Sequence, residues 1–126
     1  MSDYMSHPAV NPETLEFWKA MGQGKLLIKG CQGCGEAHFY PRAHCPHCDA
    51  DETHWLEASG RGTIYSFTVM RREEPQRIVA YVTLEEGPTI FTNIVGNSPG
   101  DVRIGAPVHL QVSESKEGLP VPTFAM

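Results

Sequence analysis

Apolar and polar positions along the chain follow two periods, and the change falls near residue 60. Before it, Leu15, Phe17, Trp18 and Met21 recur at three- and four-residue spacing, which marks one face of a helix. Asn11-Pro12-Glu13 supplies its start. Asparagine caps free backbone N–H groups, proline suits the first helical position, and an acid favours the positive end of the helix. Gly22 and Gly24 supply its end. Residues 1–10 carry no period and read as a mobile leader. Leader and helix together span residues 1–24. Phe17 and Trp18 either pack on the chain's own barrel or serve as partner-docking aromatics, since aromatics dominate interface hot spots.

Residues 25–29 read as a short strand, and Trp55-Leu56 leads out of the segment that follows. From Gly60 onward the period is two. Residues 63–70 alternate, with Tyr65, Phe67 and Val69 on one face. Residues 78–84 place Ile78, Ala80, Val82 and Leu84 on one face, and residues 89–95 form a third strand. Val108, Leu110 and Val112 alternate with His109, Gln111 and Ser113, and Pro122-Thr123-Phe124 is a last extended piece. Glu85-Glu86-Gly87-Pro88 reads as a turn, Pro99-Gly100-Asp101 as a loop and Gly60-Arg61-Gly62 as a flexible entry to the first strand. Five short strands in about 65 residues predict a small, partly open barrel of the OB type over residues 59–126, with an SH3-like barrel as the alternative.

Between helix and barrel, residues 25–58 hold all four cysteines: Cys31, Cys34, Cys45 and Cys48. They form two Cys-x-x-Cys pairs with ten residues between the pairs. Each pair can turn two thiolates toward one point, and two pairs complete a tetrahedron. Gly33 and Gly35 allow the sharp turn of the first pair, and Pro46 opens the second. A disulfide suits a secreted chain, and a redox pair needs one Cys-x-x-Cys at a strand-to-helix junction. The spacing therefore points to a metal site. Zinc is favoured on ligand set and availability, and iron held by four thiolates is the rival. Four thiolates leave no open coordination position, so the metal is structural. A ribbon of this size buries too little apolar area to stand without it. His38, His44, His47 and His54 lie nearby and read as surface residues.

The chain has 126 residues and net charge −5. Four bases and eight acids fall in residues 1–58, six bases and seven acids in residues 59–126. Neither part has the clustered cations that a polyanion or an anionic membrane needs, so neither nucleic acid nor membrane is expected as a partner. No apolar run approaches the length of a membrane span, and no secretory signal is read at the start, which makes the cytoplasm the expected compartment. The residues offer no catalytic constellation. The cysteines are committed to metal, and no nucleophile elbow or phosphate-binding loop is present. The acid pairs Glu73-Glu74 and Glu85-Glu86 flank turns as solvated loop ends. Taken alone, the residues describe a binding or scaffolding module.

The order of parts carries further information. An aromatic helix is followed by Cys31-x-x-Cys34-Gly35, Phe39-x-Pro41-Arg42-x-x-Cys45-x-x-Cys48 and Ser59-Gly60-x-Gly62-x-x-Tyr65-Ser66-Phe67-Thr68. Val82-x-Leu84-x-x-Gly87, Ile104-Gly105-x-x-Val108 and Pro122-x-Phe124 close the series. Over about residues 11–126 this resembles the family called domain of unknown function 35, a rubredoxin-like zinc ribbon joined to an acyl-CoA-associated OB-fold. One departure is Asp49, where such ribbons more often have glycine. The resemblance implies a non-catalytic accessory subunit that assembles with a thiolase-type enzyme, or with a heteromeric acyl-CoA hydratase or aldolase, and that helps bind or position CoA esters. A single-stranded nucleic-acid binder is the remaining alternative. A CoA ester needs cations for its phosphates and an apolar slot for its pantetheine and acyl chain. Arg42, Arg61, Arg71 and Arg72 could supply the first; Phe39, Tyr40 and Phe67 could line the second. Of these, Phe39, Arg42 and Phe67 match the family's motifs and are the candidate ligand contacts. Arg42 could equally cap carbonyls of the cysteine loops, and Phe67 could equally be core.

Overall fold

The computed structural model describes residues 10–73 and 76–126. The expected leader lies outside them except for Val10. Helix α1 (Leu15–Met21) begins one turn later than the sequence pattern suggests, because Asn11 caps a preceding turn. The Thr14 N–H donates to Asn11 Oδ1 at 3.1 Å, and the Asn11 N–H donates back to Thr14 Oγ1 at 3.3 Å. This is a reciprocal capping box with threonine in the third position. The helix ends in a Schellman turn. Gly24 adopts a φ of 78°, the Lys25 N–H donates to Ala20 O at 3.0 Å, and the Gly24 N–H to Met21 O at 3.0 Å.

Among the described residues ten strands follow: β1 (Leu27–Cys31), β2 (Ala37–His38), β3 (Thr53–Glu57), β4 (Arg61–Met70), β5 (Arg77–Leu84), β6 (Thr89–Ile94), β7 (Pro107–Leu110), β8 (Ser113–Glu114), β9 (Pro120–Val121) and β10 (Phe124–Ala125). A 3-10 turn, Pro99–Asp101, lies between β6 and β7. The first three strands form a sheet in the order β2-β1-β3, with β1 and β3 antiparallel from Leu27↔Glu57 to Cys31↔Thr53. Five strands close into a barrel in the order β10-β6-β5-β4-β7. The barrel is closed where the sequence suggests a partial opening, because β10 is parallel to β6 at Phe124↔Ile94 and antiparallel to β7 at Phe124↔Leu110. Phe124 is fully buried at that seam. The hairpin β8–β9, two residues per strand, carries too little alternation to be read from sequence.

Ile78, Ala80, Val82 and Leu84 fill the barrel as expected, joined by Ile64, Ile90, Ile94, Val108 and Phe124. The face expected for β4 needs correction. Ile64 pairs with Val82 and Ser66 with Tyr81, so Tyr65 is the extra residue of a bulge. The bulge inverts the alternation: Gly62 and Ile64 face inward before it, and Phe67 and Val69 pack against the core after it. Tyr65 is thrown outward and is 69% exposed. Gly62 is no flexible entry. It sits inside β4, paired with Leu84 on one side and Val108 on the other. A Cβ there would lie 2.6 Å from the Thr83 carbonyl oxygen.

Phe17 is fully buried and Trp18 is 8% exposed, so both belong to the protein's own interior and are not available as a docking surface. Phe17 meets Trp18, Phe39 and Tyr40 at ring-centroid distances of 4.8, 5.6 and 5.8 Å. With Met21, Leu26 and Ile28, the residues Phe17, Trp18 and Phe39 extend the barrel core into the ribbon as one apolar cluster. Two buried hydroxyls are satisfied within the fold. The Thr123 hydroxyl donates to the Gln111 carbonyl and lies 2.7 Å from Ser113 Oγ, and the Thr92 hydroxyl donates to Pro122 O at 3.1 Å. Among the described residues, no helix is long and apolar enough to cross a membrane.

Candidate metal centre and family membership

The two cysteine loops have the same backbone design. In the first, the Gly33 N–H donates to Cys31 Sγ at 3.3 Å, and the Gly35 N–H to Cys31 O at 2.9 Å. In the second, the His47 N–H donates to Cys45 Sγ at 3.4 Å, and the Asp49 N–H to Cys45 O at 2.8 Å. Each loop is then closed by an N–H of its first cysteine, Cys31 to Glu36 O at 3.0 Å and Cys45 to Ala50 O at 2.8 Å. The residue after each second cysteine is left-handed, Gly35 at φ 78° and Asp49 at φ 63°. The unusual Asp49 therefore stands at the position where its twin is glycine, and it carries backbone strain that glycine would not.

These loops bring four sulfurs to one place. Cys31 Sγ lies 3.6 Å from Cys48 Sγ, Cys34 Sγ lies 3.7 Å from Cys45 Sγ, and all four fall within 4.8 Å of one another. A tetrahedral metal with sulfur bonds of about 2.3 Å requires sulfur–sulfur edges of about 3.8 Å. The pairings cross between the loops, so a metal here would stitch β1 to the second loop. Cys31 and Cys45 are buried, Cys34 and Cys48 exposed.

The thiols also fit a cation electrostatically. Hydrogen bonding from the Cys34 backbone lowers the Cys31 pKa to about 7 against the opposing effect of burial. Cys48 goes the other way, to about 12: the Ala50 backbone contact lowers it, but the Cys31, Cys34 and Cys45 sulfurs and burial together outweigh that contact. Cys34 is also raised, its Glu36 backbone contact being outweighed by burial and by Cys45. Without a cation, one ionised sulfur discourages the next; a bound metal removes that conflict. The donor set and geometry thus fit a metal held by Cys31, Cys34, Cys45 and Cys48.

Other contacts hold the loops on the fold. Glu13 accepts from the Ala43 N–H at 2.7 Å, and the Thr53 hydroxyl donates to Ala43 O at 2.9 Å. Lys29 Nζ lies 4.3 Å over the Trp55 ring. One expected surface histidine is misplaced by the sequence reading. His38 is only 4% exposed, because β2 pairs against β1 at Lys29↔His38 and folds it under the ribbon. Burial holds its pKa below the usual value, partly offset by the Arg42 backbone. His54 is half-buried over Gly30, whose missing side chain leaves room for the ring.

The candidate ligand contacts are scattered in character. Arg42 is exposed, Phe39 and Phe67 are half-buried against the core. A groove of about 530 Å³ lies elsewhere, lined by β4, β5 and β7 residues including Arg61, Thr83 and His109, together with Met126. None of Phe39, Arg42 and Phe67 lines it. Arg61 is occupied in a forked pair with Glu85, Nε to Oε1 at 2.9 Å and an outer nitrogen to Oε2 at 3.1 Å. That pair lowers the Glu85 pKa. Glu86 accepts from the Ser59 N–H at 2.8 Å. These acids clasp the barrel entrance, which sequence reasoning left as solvated ends. A feature it missed is the outward aromatic set Tyr65, Tyr81 and Phe91. Two of the three stand at polar-face positions of strands whose alternate residues are buried, a signal present in the sequence.

With this geometry in place, comparison with known proteins is direct. Family models described as the ChsH2 rubredoxin-like zinc ribbon domain and the ChsH2 C-terminal OB-fold domain match residues 18–54 and 55–113. A probable enoyl-CoA hydratase alpha subunit from Thermomonospora curvata is 34% identical over 93% of this chain, which spans 38% of that protein. A DUF35 domain-containing scaffold protein from Methanocaldococcus jannaschii is 32% identical over 79% of this chain and 77% of its own. A solved structure described as the Ltp2-ChsH2(DUF35) aldolase superposes with a TM-score of 0.82 at 34% identity, covering 94% of this chain and 98% of that one. The chain belongs to the DUF35 family, the rubredoxin-like zinc ribbons joined to an OB-fold.

Proposed function

We propose that this chain is a non-catalytic, zinc-bearing accessory subunit of a heteromeric acyl-CoA enzyme of the hydratase or aldolase kind. The observation that carries the reading is likeness over nearly the whole chain, at 34% identity, both to a hydratase alpha subunit and to the DUF35 chain of an aldolase. The thiolase named as first partner in the sequence reading has no counterpart among the relatives reported above, so the weight moves to hydratase or aldolase. The chemistry of the chain supports an accessory role. Its four thiols are gathered for a metal that they would saturate, which leaves no position for a substrate. Zinc is the ion of choice for four thiolates in a ribbon, and it would supply folding free energy instead of reaction chemistry. Among the described residues, the hydroxyl pairs Ser113–Thr123 and Thr83–Thr89 bond to each other and, at Thr123, to the Gln111 carbonyl, contacts that activate no nucleophile.

In this reading a CoA ester is bound or positioned with the partner's help. Exposed Arg42 is the candidate phosphate contact on this chain, and Phe39 and Phe67 are the apolar ones. The compartment is the cytoplasm, where thiolates stay reduced and able to hold metal. The test is turnover of 2-enoyl-CoA and 3-hydroxyacyl-CoA esters by the pure chain, by the enzyme subunit that co-purifies with it, and by both together. No turnover by the chain alone and at least tenfold higher kcat/KM for the pair are expected. Turnover by the chain alone, or a partner equally active without it, overturns the reading.

A further inference from the structure

Neither the metal centre nor the ribbon uses the outer wall of the barrel. There Tyr65, Tyr81 and Phe91 are 69%, 48% and 61% exposed. They are neighbours across three strands. Tyr81 stands directly opposite Phe91, with ring centroids 5.1 Å apart. The β4 bulge turns both Tyr65 and Ser66 toward Tyr81. The three rings expose roughly 350 Å² of aromatic surface, a patch size that on single chains is often functional.

The surroundings of the rings are as informative as the rings. Thr63, Thr68, Val79, Thr83, Thr89 and Asn93 occupy the neighbouring outward positions, and none is charged, in a chain with 20% charged residues. Charge returns at the two ends of the wall, in the ion pairs Arg61–Glu85 at 2.9 Å and Glu73–Arg77 at 2.6 Å and in exposed Arg71 and Arg72 beyond the end of β4. The 530 Å³ groove continues the wall from Thr63 and Thr83 toward β7. An aromatic centre, a neutral hydroxyl-bearing surround and a charged rim is the anatomy of a protein–protein interface. Stacking of single-stranded nucleic acid requires cations beside the rings, and an anionic membrane requires a basic cluster. The wall offers neither. The wall is centred on β5, which is paired along both sides with β4 and β6, so what it offers a partner is a face and not a strand edge. A second copy would bring two chains of net charge −5 together, which like-charge repulsion opposes.

We propose that this wall, centred on Tyr65, Tyr81 and Phe91, is where the chain docks on its catalytic partner subunit, through a partner surface that is uncharged and apolar at its centre. The proposal rests on the accessory-subunit reading above. The probe is the enzyme subunit that co-purifies stoichiometrically with the tagged wild-type chain from its own cells, identified by mass spectrometry and then produced by itself. Its Kd is measured for wild type, Tyr81→Glu/Phe91→Glu, Phe91→Ala and Lys116→Glu. Lys116 is exposed in the turn of the β8–β9 hairpin, outside the strands that carry the wall. Far-UV circular dichroism and metal content check the fold of each variant. At least 100-fold weaker binding is expected for the double variant, at least tenfold for Phe91→Ala, and no change for Lys116→Glu. If the double variant loses the fold, Phe91→Ala decides. Binding within threefold of wild type in a folded wall variant overturns the docking face and leaves the accessory reading standing. So does a chain dimer, or salt-sensitive oligo-dT binding, that the wall variants abolish while partner binding persists. A wild-type chain that emerges without any partner overturns the accessory reading, and the proposal with it.

Discussion

Replacing Gly62 with alanine tests how tightly the barrel is drawn around its first strand. The added Cβ would stand 2.6 Å from the Thr83 carbonyl oxygen and 2.8 Å from Val82 Cγ1. Reaching ordinary van der Waals contact requires one side to retreat by about 0.8 Å. The strand has nowhere to go, because Gly62 is paired with β5 at Leu84 and with β7 at Val108 at once. The obstacle on the β5 side is backbone, which no rotamer change can clear. Overpacking of this kind costs about 1–3 kcal/mol, and the absence of slack argues for the upper end. Alanine recovers about 0.4–1 kcal/mol by restricting the unfolded chain. The net expectation is a loss of about 2 kcal/mol, or a fall in Tm of about 8 °C for a domain of this length. Urea unfolding of the metal-loaded chain measures it, with an unchanged m-value as the check on two-state behaviour. Gly100→Ala is the control. Nothing lies within 4 Å of its added Cβ and its φ is not left-handed, so it should be neutral or slightly stabilising. A Gly62→Ala protein within about 0.5 kcal/mol of wild type would refute the closed-barrel argument.

Three further outcomes follow from the site. Chelation of the metal, or Cys45→Ser, should speed amide exchange across residues 25–57 at least tenfold while β5 stays protected; uniform loosening of ribbon and barrel would contradict a locally structural metal. His38 is held neutral by burial, so its folded pKa lies below the ordinary value of 6.5. The unfolded chain then binds more protons than the folded one as pH drops, and stability present above pH 6.5 is lost progressively below it. His38→Phe should flatten that slope between pH 7 and 5.5, and an unchanged slope would place the titrating group elsewhere. Asp49→Gly should raise stability by about 0.5 kcal/mol and keep the metal, since glycine removes the left-handed strain; a clear fall in Tm would show that the Asp49 side chain contributes something the backbone geometry does not reveal.

Much of the fold was legible because its signals are local. The cysteine spacing specifies two turns, and the turns bring the sulfurs together without reference to the rest of the chain. The alternation in β5 is read correctly because every second residue from Ile78 to Leu84 is apolar and inward. The sequence reading failed where a long-range partner decides the outcome. Strict alternation puts Tyr65 on one face with Phe67 and Val69, because it knows nothing of the bulge in the β4–β5 pairing. His38 reads as a surface residue because four thiolates leave the metal no use for it, and a two-residue strand has no period to reveal the pairing with β1 that buries it. Phe17 and Trp18 had two uses open to them, and the position of the ribbon beside the barrel selects the interior one. Barrel closure was missed because β10 is two residues long and joins β6 at one position.

The central claim is that this chain is a metal-bearing subunit that works on a partner enzyme. Native mass spectrometry of the tagged chain, purified from its own cells, tests that claim most directly. The account predicts a chain carrying one zinc ion, in stoichiometric complex with a hydratase- or aldolase-type subunit. A metal-free chain, or a zinc-bearing chain without an enzyme subunit, would contradict it.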